Sequence, residues 1–387
     1  MSLLAALASP GAAQRGFPHA LVTNLFSGDV SILDTTSNRE VARIPIGERP
    51  ELVAMSPDGR FAYVSSGRAG ASDRISMVDF AGRSVVRTVT LTNAGSIVDL
   101  EISPDGAWLV AAGSHHSAIF LLDPGTLQLV ARRELCIGCG GSGPSMSTGA
   151  ITFSPDGAHL FATVSGDNAV TTIHLPTRNV VGRATLASVP SAVQDLRVFR
   201  GAPQFALSAG SSVVATHAFG AGSFEFEPRT AGVLDLLPIQ LGDDLFLLYG
   251  NVVYGPSNGA VRLRHLNSGA TIDLPASAPS MSRLRFDPTR FEVWGVCLSL
   301  DPRCTPHRID VFHLLSGTRT SISGLGGTRA GMCTFSQDYR HYYVPVSDWN
   351  IVEVIDASTK QRLTAISVGT NPRGVFRQGD VATKGYR

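Results

Sequence analysis

The sequence is poor in lysine, in charged residues and in long apolar runs. Only Lys360 and Lys384 are lysines among the 32 Lys and Arg residues, charged residues make up 16% of the chain, and the formal net charge is +1. A nucleic-acid partner requires a concentrated basic surface. The arginines are instead scattered, so no nucleic-acid partner is predicted. No apolar run reaches the roughly 18 residues that a membrane-spanning helix needs, so no membrane span is predicted either.

Several motifs of catalysis and cofactor binding are also missing. The chain has no Gly-x-Ser-x-Gly elbow, no P-loop and no His-Glu-x-x-His segment. A c-type haem attachment needs a histidine directly after a Cys-x-x-Cys pair, and Gly140 stands there instead. The three tryptophans, Trp108, Trp294 and Trp349, are too few for the repeated docking motif of quinoprotein dehydrogenases. We therefore predict no haem and no quinone. No metal-ligating residues are named, and the sequence leaves the metal content open.

Five cysteines allow at most two intrachain disulfides. The candidate pairs that lie close in sequence are Cys136 with Cys139 and Cys297 with Cys304, which leaves Cys333 over. Such bridges form in oxidising compartments. The cysteines therefore favour a periplasmic or secreted location, with a cytoplasmic location as the alternative.

The two ends of the chain differ from the rest. Residues 1–16 are apolar and rich in alanine and include Ala12-Ala13-Gln14, which is typical of the apolar region and cleavage site of a signal peptide without its basic start. The alternative is a disordered tail. We expect one folded domain over residues 17–379 and a short tail over residues 380–387.

Composition favours short strands joined by many turns. Hydrophobic residues make up 43% of the chain, which also has 40 glycines and 22 prolines. Long amphipathic helices do not have this profile. The sequence therefore predicts an all-β fold.

A Ser-Pro-Asp-Gly motif recurs at regular spacing. It occurs at residues 56–59, 103–106 and 154–157, at intervals of 47 and 51 residues, and an apolar strand follows each copy. Proline presets φ, aspartate can accept hydrogen bonds from its own downstream backbone, and glycine can adopt a positive φ. The motif thus predicts a hairpin turn, and its spacing is that of the blades of a β-propeller.

The repeats predict four-stranded, WD40-like blades, in which strands a, b, c and d run outward from the centre. Weaker copies extend the pattern, so that complete units begin near residues 50, 97, 148, 192, 233, 281 and 330. Residues 19–46 supply strands b, c and d without strand a, while residues 374–376 supply a strand a alone. Together they make one further blade that joins the two chain ends and leaves no exposed edge. We predict a closed propeller of eight blades, with seven as the alternative.

Five segments resemble the consensus of the YVTN-repeat family of β-propellers. They are residues 30–47, 61–66 (FAYVSS), 341–348 (HYYVPVSD), 352–364 (VEVIDASTKQRLT) and 368–374 (VGTNPRG). This resemblance is strong at both ends of the chain and weak over residues 190–325. It implies the propeller fold, which in this family usually has seven blades. Family members include surface proteins, lactonase-like enzymes and dehydrogenase subunits, so the resemblance implies little about function.

Candidate site residues lie on the loops from strand b to c and from strand d to the next a, which meet at one face of a propeller. As ligand-binding candidates we name Arg49, Arg74, Arg329, Arg373 and Trp349, since arginines can clamp a carboxylate or phosphate. Ion pairs between blades are the alternative role of these arginines. As catalytic candidates we name His115, His116, Glu51 and Asp99, which can act as acids or bases. The alternative is that such residues are solvated groups lining the water-filled central channel.

Two classes of function remain. The first is an exported, monomeric propeller that binds a small molecule or a partner protein at its loop-rich face. The second is a cofactor-free hydrolase, lyase or isomerase, with a channel carboxylate or histidine as general base and an arginine stabilising negative charge.

Overall fold

Antiparallel strands make up the described chain, and no helix occurs within it. The computed structural model describes residues 18–68, 71–135, 148–164, 167–185, 193–199, 204–209, 213–219, 225–226, 233–241, 243–251, 260–275, 281–297, 308–327 and 330–380. The first sixteen strands are β1 (His19–Asn24), β2 (Asp29–Asp34), β3 (Arg39–Pro45), β4 (Val53–Met55), β5 (Phe61–Arg68), β6 (Ala71–Asp79), β7 (Ser84–Thr90), β8 (Ile97–Ile102), β9 (Leu109–Gly113), β10 (Ala118–Leu122), β11 (Leu129–Glu134), β12 (Thr148–Phe153), β13 (His159–Val164), β14 (Asp167–His174), β15 (Asn179–Thr185) and β16 (Val193–Val198). The others are β17 (Gln204–Ala209), β18 (Val213–Ala218), β19 (Glu225–Phe226), β20 (Val233–Leu241), β21 (Asp244–Asn251), β22 (Ala260–His265), β23 (Thr271–Pro275), β24 (Met281–Asp287), β25 (Glu292–Cys297), β26 (Ile309–His313), β27 (Thr318–Ile322), β28 (Thr334–Phe335), β29 (His341–Val346), β30 (Ile351–Asp356), β31 (Arg362–Ser367) and β32 (Pro372–Arg377). The all-β prediction is confirmed.

These strands form eight four-stranded antiparallel sheets within the described ranges. They are sheet 1 (β32, β1, β2, β3), sheet 2 (β4–β7), sheet 3 (β8–β11), sheet 4 (β12–β15), sheet 5 (β16–β19), sheet 6 (β20–β23), sheet 7 (β24–β27) and sheet 8 (β28–β31). Seven of them use four consecutive strands. In sheet 1 the last strand pairs with the first, with Leu21 opposite Phe376 and Val22 opposite Val375. The predicted pairing of the two chain ends is therefore confirmed.

The Ser-Pro-Asp-Gly turns fold as their chemistry predicts. In the first copy Gly59 has a φ of 72°, and Asp58 Oδ1 accepts the backbone N–H of Arg60 at 3.0 Å. Serine has a role that the sequence did not indicate. Its hydroxyl donates to Asp58 Oδ1 at 2.5 Å and accepts the N–H of Phe61 at 2.9 Å. The Ser56 hydroxyl therefore bridges Asp58 in the turn and Phe61 at the start of the next strand.

Apolar side chains fill the space between each sheet and the next. One cluster lies between sheets 8 and 1, where Tyr343 and Val352 pack with Val22 and Val375. Equivalent clusters lie between sheets 1 and 2 (Leu21, Ile32, Val53, Val64), 2 and 3 (Tyr63, Met77, Leu100, Phe120), 3 and 4 (Val110, Leu121, Ile151, Leu160), 4 and 5 (Phe161, Val170, Leu196, Phe205), 5 and 6 (Phe199, Ala206, Leu236, Leu247), 6 and 7 (Phe246, Leu263, Leu284, Phe312), and 7 and 8 (Trp294, Val311, Phe335, Tyr342). Four-stranded sheets packed face to face in succession are the blades of a β-propeller.

Aspartates at the turns make the stability of the folded state depend on pH in the acidic range. The N–H of Thr359, and then the hydroxyl of Ser358, hold the pKa of Asp356 at about 2, below the value of about 3.9 in an unfolded chain. A folded-state pKa below the unfolded one contributes stability above about pH 4 that is lost as the pH falls towards 2. We therefore expect Asp356→Asn to lower the urea midpoint at pH 6 and to lower it less at pH 2.5. An equal decrease at both pH values would contradict this assignment.

Candidate functional site

The loops from strand b to c are tied to the neighbouring loops from strand d to a. In sheets 1 and 2 the N–H of Gly67 donates to the carbonyl of Glu48 at 2.6 Å. Between sheets 8 and 1 the N–H groups of Leu25 and Phe26 donate to the carbonyls of Asn371 and Thr370, at 3.0 and 3.1 Å. Both kinds of loop therefore lie at the same face, as predicted. We call this surface the loop face; its described segments are residues 25–28, 46–52, 91–96, 114–117, 323–327, 347–350 and 368–371.

Two predicted arginines lie on neighbouring segments at the loop face. Arg74, on β6, is exposed and places Nη1 3.3 Å from where a β-carbon on Gly47 would be. Arg49 follows two residues after Gly47 and has a φ of 54°. Within the part of the chain that the structure describes, neither guanidinium forms an ion pair. The two side chains are therefore available to an anion that approaches from solvent.

The other two predicted arginines, Arg373 and Arg329, do not belong to this pair. Arg373 lies on β32 and is half-buried, with its carbonyl accepting the N–H of Met332 at 2.9 Å. Its backbone also lies against Gly331, where a β-carbon would overlap the Arg373 carbonyl. Arg373 thus belongs to the contact between sheets 8 and 1. Arg329 lies outside the described residues.

Two aromatic side chains are exposed on the same face. Phe26 is 65% exposed and Trp349 is 56% exposed, and residues 368–371 lie between their loops. The indole of Trp349 packs on Gly326, where a β-carbon would overlap the ring. The N–H of Gly326 donates to Glu353 Oε1 at 2.9 Å, and Glu353 is fully buried. The aromatic ring therefore rests on a loop that a buried carboxylate holds in place.

Glu353 was not singled out from the sequence. It lies in β30, between the buried residues Val352 and Val354. The detectable signal was an acidic residue at a position where the strand pattern was otherwise apolar. Its loop contact involves a residue 27 positions away, which the sequence pattern does not specify.

The four catalytic candidates occupy three separate places. His115 and His116 are exposed on the turn at 114–117, with ring centroids 6.4 Å apart and ring planes at 82°. Asp99 is buried and accepts the N–H of Leu100 and the N–H of Ile151, both at 3.0 Å, so its carboxylate links sheet 3 to sheet 4. Glu51 is half-buried, and its N–H donates to the carbonyl of Ser65 at 3.0 Å.

The cysteine predictions fall largely outside the described residues. Cys136, Cys139 and Cys304 are not described, and Cys297 is described only as the last residue of β25. Both disulfides therefore stay predictions. Cys333 is fully buried, and its Sγ donates to the carbonyl of Gly331 at 3.4 Å.

Metal-ligating clusters of three or more residues and membrane-spanning helices are both missing from the described ranges. No cluster of three or more histidine, cysteine, aspartate or glutamate side chains there has the arrangement of a metal site. The same ranges contain no helix with the length and apolar character needed to cross a membrane.

This chain resembles known proteins in its fold. No family model matches the chain, and no curated protein matches it. Among solved structures, the dihydro-heme d1 dehydrogenase NirN in complex with DHE has a TM-score of 0.78 at 17% identity, over 94% of this chain and 75% of that chain. Hydrazine synthase of Kuenenia stuttgartiensis has a TM-score of 0.54 at 17% identity, over 88% and 93% of the two chains. The β-propeller domain of Cps50 (Swd1) of Myceliophteria thermophila has a TM-score of 0.53 at 14% identity, over 74% and 94%.

At such low identity these structures establish the fold alone. Membership of the YVTN-repeat family stays a prediction, since no family model supports it. The chain is an all-β propeller of four-stranded blades.

Proposed function

We propose that the chain is a ligand-binding propeller, and that its loop face takes an anionic small molecule with a flat apolar part. Arg49 and Arg74 bind the anionic group, while Phe26 and Trp349 contact the apolar part. The observation that carries the proposal is the pair of arginines on adjacent loops, with Arg74 Nη1 beside Gly47 and no ion pair at either residue within the described chain.

The arginines and the aromatic residues belong to one continuous strip of surface. The N–H groups of Ile46 and Gly47 both donate to the carbonyl of Gly28, at 3.0 and 3.1 Å. Gly28 closes the hairpin that carries Phe26, so this hairpin lies directly beside the arginine loop. On its other side Phe26 is tied to Thr370, and the N–H of Asn371 donates to Asn350 Oδ1 at 2.8 Å, next to Trp349.

The chemistry of the strip favours a carboxylate or phosphate attached to a ring. A guanidinium presents several N–H donors in one plane and binds either anion through paired hydrogen bonds. Exposed aromatic rings add apolar contact area with little loss of side-chain entropy, because they have few rotatable bonds. Ligand sites commonly combine a mostly apolar surface with a few placed polar groups.

An enzyme is the less favoured class. It would need a histidine, a carboxylate and an arginine converging on one pocket. Asp99 instead accepts two backbone amides, one of them from the next sheet. His115 and His116 lie on an exposed turn with their rings edge to face. Binding therefore explains the described loop face with fewer assumptions. Export, the disulfides and the monomeric state remain predictions beside it.

The proposal is tested with 8-anilinonaphthalene-1-sulfonate, a fluorescent anion with apolar rings. We expect saturable binding, and we expect the Arg49→Ala/Arg74→Ala variant to bind at least about 10-fold more weakly, since each charge-assisted hydrogen bond contributes about 1.5 kcal/mol or more. Trp349→Ala should weaken binding of the dye but not of inorganic phosphate. Haemin, a planar dicarboxylate, should compete with the dye.

Arg340→Ala is the matched control. Arg340 is 78% exposed and lies on the turn between β28 and β29, away from the loop face. Its removal should leave dye affinity unchanged. Equal affinity of the wild type and the Arg49→Ala/Arg74→Ala variant would refute the proposed site. Loss of binding with the Arg340 variant as well would assign the effect to net charge instead.

We also infer that the eight sheets are the eight blades of one closed ring. The inference is supported by the apolar clusters, since each sheet packs on the next and sheet 8 packs on sheet 1. A ring of seven blades would leave one four-stranded sheet outside this succession. A direct link between β32 and the segment just before β28 adds support, because the N–H of Val375 donates to the carbonyl of Met332 at 2.8 Å.

A further inference from the structure

Two histidines face each other at the edge of sheet 4, at the end of its strands that lies opposite the loop face. His159 begins β13 and His174 ends β14, and the two residues are direct partners in the antiparallel pairing. Both side chains are half-buried. The pair follows the Ser-Pro-Asp-Gly turn at residues 154–157, so it is separate from the proposed ligand site.

The separation of the two rings is that of two imidazoles bound to one metal ion. Their centroids are 5.2 Å apart, and the ring planes are tilted by 48°. Zinc binds imidazole nitrogen at about 2.0–2.1 Å in tetrahedral geometry, which places the centroids of two such rings about 5.2 Å apart. The other adjacent pair, His115 and His116, has centroids 6.4 Å apart, which is too far for two corners of a tetrahedron.

A hydrogen bond selects the nitrogen of His174 that can bind a metal. Nδ1 lies 2.9 Å from the hydroxyl oxygen of Thr177, and this hydroxyl donates to the carbonyl of His174 at 3.5 Å. Because the hydroxyl proton is used there, the hydroxyl oxygen accepts the N–H of Nδ1. Nε2 then has the free lone pair that binds a metal. Histidine ligands in metal sites usually have their second nitrogen bonded in this way.

The pair lies on the face of sheet 4 that packs against sheet 5. Alternate residues of a strand share a face, so His159 is on the same side as Phe161, whose ring centroid lies 5.1 Å from that of Phe205 in sheet 5. Arg133 donates to the carbonyl of Arg178 at 2.9 Å, but it belongs to sheet 3, which packs on the opposite face of sheet 4. Its charge is therefore on the far side of the sheet from the two imidazoles.

A carboxylate accompanies the pair. The hydroxyl of Ser154, the N–H of Ala158 and the charge of His159 lower the pKa of Asp156. Asp156 is therefore negative at neutral pH and lies within electrostatic reach of the His159 ring. This charge attracts a cation to the two imidazoles.

We propose that His159 and His174 bind a divalent transition-metal ion of the zinc, nickel and copper class. One nitrogen of each ring binds the ion, and water fills its remaining positions, since the described chain contains no cluster of three histidine, cysteine or carboxylate ligands. Imidazole selects these ions over calcium and magnesium, which prefer oxygen ligands. The bound ion bridges β13 and β14 and stabilises the folded chain over the unfolded one.

The test is isothermal titration calorimetry of the untagged full chain with zinc chloride. We expect saturable binding, which His159→Gln should weaken at least about 10-fold, since loss of even an outer partner of a ligand weakens metal binding about 10–100-fold. Thr177→Val should weaken binding about 10-fold because Nδ1 loses its acceptor, and Thr177→Ser should restore it. Zinc should raise the midpoint of thermal unfolding of the wild type but not that of His159→Gln.

The matched control is His115→Gln/His116→Gln, which removes the pair whose rings are too far apart and should bind zinc as the wild type does. Electron paramagnetic resonance of bound Cu²⁺ identifies the ligands. We expect two imidazole nitrogens in the wild type and one in His159→Gln. Circular dichroism checks that all variants are folded.

Two results would overturn the proposal. The first is equal zinc affinity of the wild type and His159→Gln. The second is a Cu²⁺ spectrum that His159→Gln leaves unchanged, which would place the ion elsewhere in the chain.

Discussion

A chain ending at Asn371 is expected to lose the folded state. Without β32, sheet 1 loses the strand that pairs with β1. Val375 is lost from the apolar cluster between sheets 8 and 1, and Phe376 from the cluster between sheets 1 and 2. Burial of one such side chain contributes about 1.5–3 kcal/mol, and the exposed edge of β1 adds a site for aggregation.

Polar contacts of the same strand would be lost as well. Arg377 Nη1 donates to the carbonyl of Ser336 at 2.7 Å, and its guanidinium carbon lies 4.4 Å from the ring centroid of Tyr339. With the apolar terms, the total is comparable with the 5–15 kcal/mol that stabilises a typical protein. We expect the truncated chain to be insoluble or to lack the circular dichroism of the native protein.

A second truncation and a peptide provide the controls. A chain ending at Asp380 keeps β32 and should fold like the full chain. Adding a synthetic peptide of residues 372–380 to the chain ending at Asn371 during refolding should restore soluble protein in part. A soluble, cooperatively unfolding protein without β32 and without the peptide would show that the ring does not depend on this strand.

The Glu292→Ala substitution should cause a large loss of stability at the contact of sheets 7 and 8. Glu292 is 5% exposed. Its carboxylate accepts hydrogen bonds from Lys360 Nζ at 2.6 Å and from Trp294 Nε1 at 3.1 Å, and His313 Nδ1 lies 3.1 Å from Oε1. Lys360 Nζ also lies 4.9 Å from the ring centroid of Trp294.

Removing the carboxylate leaves a largely buried ammonium and a buried indole N–H without their acceptor. Breaking a buried ion pair on one side costs about 3–5 kcal/mol, so we expect a loss of about 3 kcal/mol in the free energy of unfolding, measured by urea denaturation. Replacing both partners is less costly, because no charge then stays buried. The Glu292→Leu/Lys360→Met variant should therefore be more stable than Glu292→Ala.

Arg340→Ala serves as the reference for an exposed ion pair. Arg340 and Asp338 are 3.5 Å apart and exposed, and such a pair contributes about 0–1 kcal/mol. If Glu292→Ala destabilised the chain no more than Arg340→Ala does, the cluster around Glu292 would not hold the two sheets together.

Local chemistry made most of the fold predictable from the sequence. The turn at residues 56–59 is set by its own proline, aspartate and glycine, and three copies revealed the period of the repeat. The pairing of β32 with β1 followed from counting, because one unit lacked strand a and one strand a lacked a unit. Both arguments depend on residues near one another in sequence or on a regular period.

The candidate site was predicted only in part. The sequence predicted that the loops of Arg49, Arg74 and Trp349 lie at one face, because the propeller topology fixes which loops meet, and their role in binding stays a prediction. The sequence could not show that Arg74 lies beside Gly47, or that Asp99 accepts an N–H from the next sheet. Contacts such as that of Glu292 with Lys360, 68 residues apart, depend on how sheets pack, and no local pattern encodes this.

Hydrogen exchange followed by mass spectrometry most directly tests whether the two chain ends pair as β32 and β1. If β32 seals the ring on β1, amides of residues 20–23 and 374–376 should exchange as slowly as those of β5, which lies inside sheet 2, because all of them require opening of the folded core. Exchange of residues 374–376 within seconds while β5 stays protected would show that the terminal strand is not part of sheet 1 in solution.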